Sequence, residues 1–108
     1  MENRSRIVAT VLEVTPREAP GFLLRLRIDA SGAMPGYASF AKIGEEINAY
    51  PNFVRQEGLA INYTDEQNKA LLQAGALKTG DQIIAEIYYH DGQGRENTWL
   101  LMSWQRKQ

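Results

Sequence analysis

The chain has 108 residues, 44% of them hydrophobic, with twelve basic residues (Lys+Arg 12) against thirteen acidic ones (Asp+Glu 13) and a net charge of −1. Cysteine is absent, which excludes a disulfide framework, thiolate catalysis and cysteine-ligated zinc together. A protein that lives by neutralising phosphates is usually clearly basic, so the charge balance speaks against nucleic acid as the main ligand. No apolar stretch is long enough for a signal peptide or a membrane-spanning helix. The expectation is therefore a soluble, cytoplasmic protein without membrane contact.

Ile7 to Val14 is rich in β-branched residues, free of Gly and Pro, and reads as a strand. The segment Thr15-Pro16-Arg17-Glu18-Ala19-Pro20-Gly21 stops it, because two prolines and a glycine cannot continue a ladder. From Phe22 to Ile28 the pattern alternates: Leu24, Leu26 and Ile28 share one face, Leu23, Arg25 and Arg27 the other. That is a half-buried strand pairing back on the first.

The stretch from about 30 to 58 is irregular. Ser31 to Gly36 reads as a loop, Tyr37 to Ile43 as a weakly alternating strand, and Gly44 to Glu57 as either a short amphipathic helix or an ordered loop. A structureless loop of that length is uncommon in a compact domain and signals function or an unrecognised element. Leu59 to Tyr63 alternates again and reads as a strand. Thr64-Asp65-Glu66-Gln67 opens a helix, with Thr64 as the cap, Gln67 reaching back, and the acids favouring the positive end of the dipole. Leu71, Leu72 and Ala74 supply its apolar side, and Gly75 ends it. Two more strands follow, Gln82 to His90 and Asn97 to Gln105, joined by the glycine-rich turn Asp91 to Gly94. In the first, Ile83, Ala85, Ile87 and Tyr89 oppose Ile84, Glu86 and Tyr88; in the second, Leu100, Met102 and Trp104 oppose Trp99, Leu101 and Ser103. No linker or repeat divides residues 1–108, so one mainly β domain is expected.

This order of elements, together with the approach Leu77-Lys78-Thr79-Gly80-Asp81-Gln82-Ile83 into the strand after the helix, resembles an oligonucleotide/oligosaccharide-binding (OB) barrel. The resemblance implies a small five- to six-stranded barrel with one α-helix before the penultimate strand. It also implies a ligand across the second and third strands, between the first and last hairpin loops. By position that means Arg25 and Arg27, with Arg17 in the first loop and His90 to Arg95 in the last. Such barrels serve as protein-interaction subunits as well, so the fold does not decide the function.

Each candidate has a plainer reading. Arg25 and Arg27 form either an anion-binding stripe or a solvated face paired with Glu13 or Glu86, each pair contributing about 0.2–1 kcal/mol. Tyr88, Trp99 and Tyr63 form either a stacking platform for bases or, like Trp104 and Tyr89, part of the packing. His90, the only histidine, lies near Asp91 and Glu96 without any recognised ligand spacing and reads as a surface turn residue, so no metal is expected. Glu45-Glu46 reads as the first turn of a short helix or as solubilising charge. Ser39 lacks the glycines of a nucleophile elbow, and the Gly32–Gly36 and Gly92–Gly94 stretches lack the strand-to-helix setting of a phosphate cradle. The chain is accordingly not expected to be an enzyme or to carry a cofactor. Met34, Tyr37, Phe40, Tyr50, Phe53 and Val54 are many apolar residues for one irregular segment; they either plug the barrel or face a partner. The reading is a non-catalytic binding module whose partner is a protein or a second copy. Single-stranded nucleic acid through Arg17, Arg25, Arg27, Tyr88, Arg95 and Trp99 is the alternative, and a small molecule or sugar the third.

Overall fold

A computed structural model describes residues 3–17, 21–53, 61, 64–90 and 98–107. Five strands and one helix follow in the order β1 (Ser5–Pro16), β2 (Phe22–Ala33), β3 (Glu46–Pro51), α1 (Glu66–Ala74), β4 (Gln82–His90) and β5 (Thr98–Arg106). The strands close into a barrel in the order β1-β2-β3-β5-β4, antiparallel throughout except for the parallel β3–β5 pair. Closure removes sheet edges, and the helix falls before the penultimate strand. A small OB-like barrel has this architecture. No helix among the described residues is long and apolar enough to cross a membrane.

Alternation produces the core. Ile7, Ala9 and Val11 of β1, Leu24, Leu26 and Ile28 of β2, Ile47 and Ala49 of β3, Ile83, Ala85 and Ile87 of β4, and Trp99 and Leu101 of β5 are all buried. Leu71, Ala74 and Leu77 join them from the helix and the turn after it. The helix is pinned to the wall by Trp104, whose Nε1–H donates to the Ala70 carbonyl at 2.6 Å.

Three β-bulges bend the strands and reset which residues face inward. The β1–β2 register runs from Val8↔Ala30 to Ala9↔Ile28 and from Val11↔Leu26 to Glu13↔Arg25, leaving Asp29 and Leu12 as extra residues. The β4–β5 register passes from Glu86↔Ser103 to Ile87↔Leu101, leaving Met102 extra. Each extra residue is held. Asp29 accepts from the Thr10 hydroxyl at 2.6 Å, the Leu12 carbonyl from the Thr79 hydroxyl at 2.9 Å, and the Met102 carbonyl from Gln67 Nε2 at 3.2 Å. The last bulge breaks the simple alternation expected for β5. Trp104, paired with buried Ala85, packs on the core with Trp99 and Leu101 rather than sharing a face with Leu100.

Several expectations shift. The strand expected at Tyr37 to Ile43 is a series of turns and irregular backbone, and the helix or loop expected at Gly44 to Glu57 contains β3 instead. Ile47 and Ala49 face inward while Glu46, Asn48 and Tyr50 face outward, so the period is two; a small Ala and a terminal Pro hid it. The helix is capped by Asp65, not Thr64: its carboxylate accepts from the N–H groups of Gln67 at 2.9 Å and Asn68 at 3.2 Å. A carboxylate at the positive end of the dipole serves two orphan donors at once. Gln67, expected to reach back, is spent on Met102. Apart from Ile61, the strand expected at Leu59 to Tyr63 lies outside the described residues, as does the turn Asp91 to Gly94.

The barrel end formed by Ser5, Ala33 and Tyr89 is closed by the N-terminal segment and the loop after β2. Buried Asn3 grips Tyr89 twice: its Nδ2 donates to the Tyr89 carbonyl at 2.8 Å, and the Tyr89 N–H donates to its Oδ1 at 2.7 Å. The Arg4 N–H donates to the Ala38 carbonyl at 3.0 Å, and the Ser5 and Ser39 hydroxyls share a bond of 2.8 Å. Further along, the Ser31 hydroxyl donates to the Ala41 carbonyl at 2.9 Å and Gly44, at φ +88°, turns the chain back onto Ile28.

Candidate functional site

The expected arginine stripe exists as geometry, but its charge is already answered. Arg25 and Arg27 both point outward from β2. Arg25 Nη2 meets Glu46 Oε1 at 2.8 Å, and Arg27 Nε meets Asp29 Oδ1 at 3.0 Å with Nη2 also 3.2 Å from the Thr10 hydroxyl. Neither acid is one that the chain suggested. Glu13 stands opposite Arg25 in the β1–β2 register, but the ion pair forms across β2–β3. Glu86 lies on β4, opposite Arg6. The Thr10 hydroxyl holds the Asp29 carboxyl below its ordinary value of 3.8 with help from Arg27, against the opposing pull of partial burial. Arg17 is exposed just beyond β1, where its N–H bonds the Gly21 carbonyl at 3.1 Å. Arg95 lies outside the described residues.

The aromatic candidates are separated by the pleat. Tyr88 stands opposite Leu100, and Tyr89 opposite Trp99, so Tyr88 and Trp99 face opposite sides of the sheet. Trp99 is 8% exposed and packs edge-on to Tyr89, with ring centroids 4.8 Å apart. It belongs to the core. Tyr88 is half-buried on the outer side, tilted against His90 at 6.1 Å. Tyr63 lies outside the described residues.

The apolar residues of the middle segment scatter into four settings. Phe53 packs against the core. Phe40 meets Tyr89 edge-on at 6.1 Å yet is 50% exposed, and Ile43 is 70% exposed. Tyr50 stands on the outer side of β3, 37% exposed. Tyr37 lies under the Arg4 guanidinium, 5.3 Å from its ring centroid. Met34 and Pro35 form one wall of a cleft. Plug and exposed surface thus coexist in one segment. Val54 lies outside the described residues.

That cleft lies on the outer wall. It measures about 410 Å³; Arg6 and Val8 of β1, Ala30 and Gly32 of β2, and Ile84 of β4 form its floor, with Met34 and Pro35 beside them. The register places Arg6 opposite Gly32 and Val8 opposite Ala30, so large residues on β1 face small ones on β2 and the floor is sunken. A Cβ built on Gly32 meets nothing within 4 Å. A smaller hollow of about 240 Å³ adjoins it across Arg6 and Ile84, bounded by Glu86, Ser103 and Gln105.

Of these residues only Met34 stands out in the chain as a candidate. A signal for the others was present: Ile7-Val8 and Ile83-Ile84 are adjacent apolar pairs, and a strand must turn one of each pair outward. Among the described residues no three metal-ligating side chains come together. Ser39 is bonded to Ser5, and Glu46, paired with Arg25, lies in a strand rather than a helical turn. Fold and surface together define a small closed β-barrel with an apolar cleft on its outer wall. Comparisons with protein-family models, with curated proteins and with solved structures returned no match.

Proposed function

We propose that the protein is a non-catalytic, OB-like binding module of the cytoplasm that docks a segment of a partner protein in the cleft between Met34, Val8 and Ile84. The observation that carries this reading is the cleft itself: about 410 Å³, lined mainly by apolar atoms, on the wall of a barrel whose own core is already filled. Binding sites are characteristically concave and mostly apolar, with volumes of about 300–1,000 Å³, and a sunken floor of Ala30 and Gly32 leaves room for side chains from outside. The nucleic-acid alternative is the less favoured reading, because Arg25 and Arg27 carry their own acids, Trp99 is buried and the net charge is −1.

Selection of short random peptides displayed on phage tests this reading, with the full-length protein as bait and Gly32→Trp as the blocked control. A Cβ at Gly32 meets nothing within 4 Å, so an indole there is expected to occupy the cleft and leave the barrel folded. Peptides that bind the native protein and not the blocked variant are expected. A failure to select any, or equal binding to both baits, refutes cleft-dependent docking.

A further inference from the structure

The chemistry of the partner segment can be taken further, resting on the reading just given. We infer that the segment is acidic as well as apolar, with a carboxylate placed at Arg6 and apolar side chains in the cleft beyond it. Arg6 stands where the two hollows meet and lines both. The wall arginines elsewhere have acids: Arg25 has Glu46 at 2.8 Å, Arg27 has Asp29 at 3.0 Å and Arg106 has Asp81 at 3.2 Å. Among the described residues Arg6 has no acid within 4 Å, although Glu86 faces it in the β1–β4 register.

Two residues earlier Arg4 repeats the situation. It lies over the Tyr37 ring at 5.3 Å, its Nε–H is buried without a hydrogen-bond partner, and among the described residues no acid pairs with it either. Arg6, a guanidinium without an ion pair among the described residues, gives one end of an otherwise apolar cleft a positive rim on a protein of slightly negative net charge. Charge complementarity across a small interface fixes orientation and speeds encounter, and guanidinium matches carboxylate in geometry. A purely apolar segment would leave Arg6 unanswered beside it.

The peptides selected on the native protein decide the matter when rebound to Arg6→Gln and Glu86→Gln. Enrichment of Asp or Glu next to apolar residues is expected. Affinity should fall roughly two- to fivefold with Arg6→Gln at low salt, the range of an exposed ion pair, and the difference should shrink as salt rises. Glu86→Gln, which removes the one competing negative charge opposite Arg6, should tighten the same peptides. Cleft-dependent peptides that carry no acidic bias and ignore both substitutions overturn the inference while leaving the docking function standing. Absence of any cleft-dependent peptide removes the function and the inference together. Single-stranded DNA bound at low salt and lost with Arg6→Gln, with no peptide selected, assigns the rim to phosphate and overturns the acidic-segment inference.

Discussion

Replacing Asn3 with alanine tests how the barrel end is held shut. Asn3 is 6% exposed, and its amide serves both the N–H and the carbonyl of Tyr89, at 2.7 and 2.8 Å. Alanine removes the donor and the acceptor together and leaves two backbone groups unpartnered beside β4. A buried polar group stripped of its partner costs about 1–3 kcal/mol; because Tyr89 is only half-buried, the lower part of that range applies to each group. The sum is about 2–4 kcal/mol, against a typical total of about 5–15 kcal/mol for a domain. For a domain of this size that lowers Tm by on the order of 15 °C. Urea unfolding followed by tryptophan emission measures it, with an unchanged m-value showing that the two-state comparison holds. Hydrogen exchange at the Tyr89 amide should accelerate in the same variant. Asn3→Asp sharpens the test: it keeps an acceptor for the Tyr89 N–H but sets a carboxylate against the Tyr89 carbonyl. The folded state then favours the protonated acid and raises its pKa, so stability is present below the ordinary carboxylate value and is lost as pH rises through the raised one. A stability for Asn3→Ala within about 0.5 kcal/mol of the native protein, the scatter of neutral surface changes, with Tyr89 still protected, refutes this account of the closure.

Other consequences are read more briefly. Trp104→Phe removes the 2.6 Å bond to the Ala70 carbonyl and should cost about 1–2 kcal/mol. It leaves Trp99 as the only indole, whose emission should be blue-shifted and shielded from iodide; ready quenching would contradict its place in the core. Asp65→Ala should destabilise by about 1 kcal/mol through loss of the cap, measured by thermal unfolding. Asp29 and Asp81 are both held below the ordinary carboxyl value of 3.8, Asp29 first by the Thr10 hydroxyl and Asp81 first by the Lys78 backbone N–H. Their folded pKa values are depressed, so the stability they contribute is present above that ordinary value and is lost as pH falls through the lowered ones. Urea midpoints taken between about pH 5 and pH 2 should therefore fall less steeply in Asp29→Asn than in the native protein; an identical slope would contradict the assignment.

Arginine is where reading the chain and reading the fold diverge most. Arg25 and Arg27 attract attention because they alternate on a strand with a clean apolar face. Whether they are available depends on Glu46 and Asp29, and Glu46 pairs with β2 only because an obscure segment folds as β3. Arg6 drew no notice in the chain because nothing around it marks the start of β1 as a site.

What the chain determined by itself is local and periodic. Ile7 to Val14, Phe22 to Ile28 and Gln82 to His90 carry a two-residue period strong enough to place strands and, in the last two, their inward faces, and the Thr64–Gln67 stretch locates the helix start to within a residue. Those features follow from backbone geometry acting over a few neighbours. The closed strand order, the bulges at Leu12, Asp29 and Met102, the burial of Trp99 and the cleft were decided only by tertiary structure. A bulge is a mismatch between two paired strands, and the cleft floor comes from residues near 6, 30 and 84. Neither exists until distant segments pair, and no local pattern records which residue will stand opposite which.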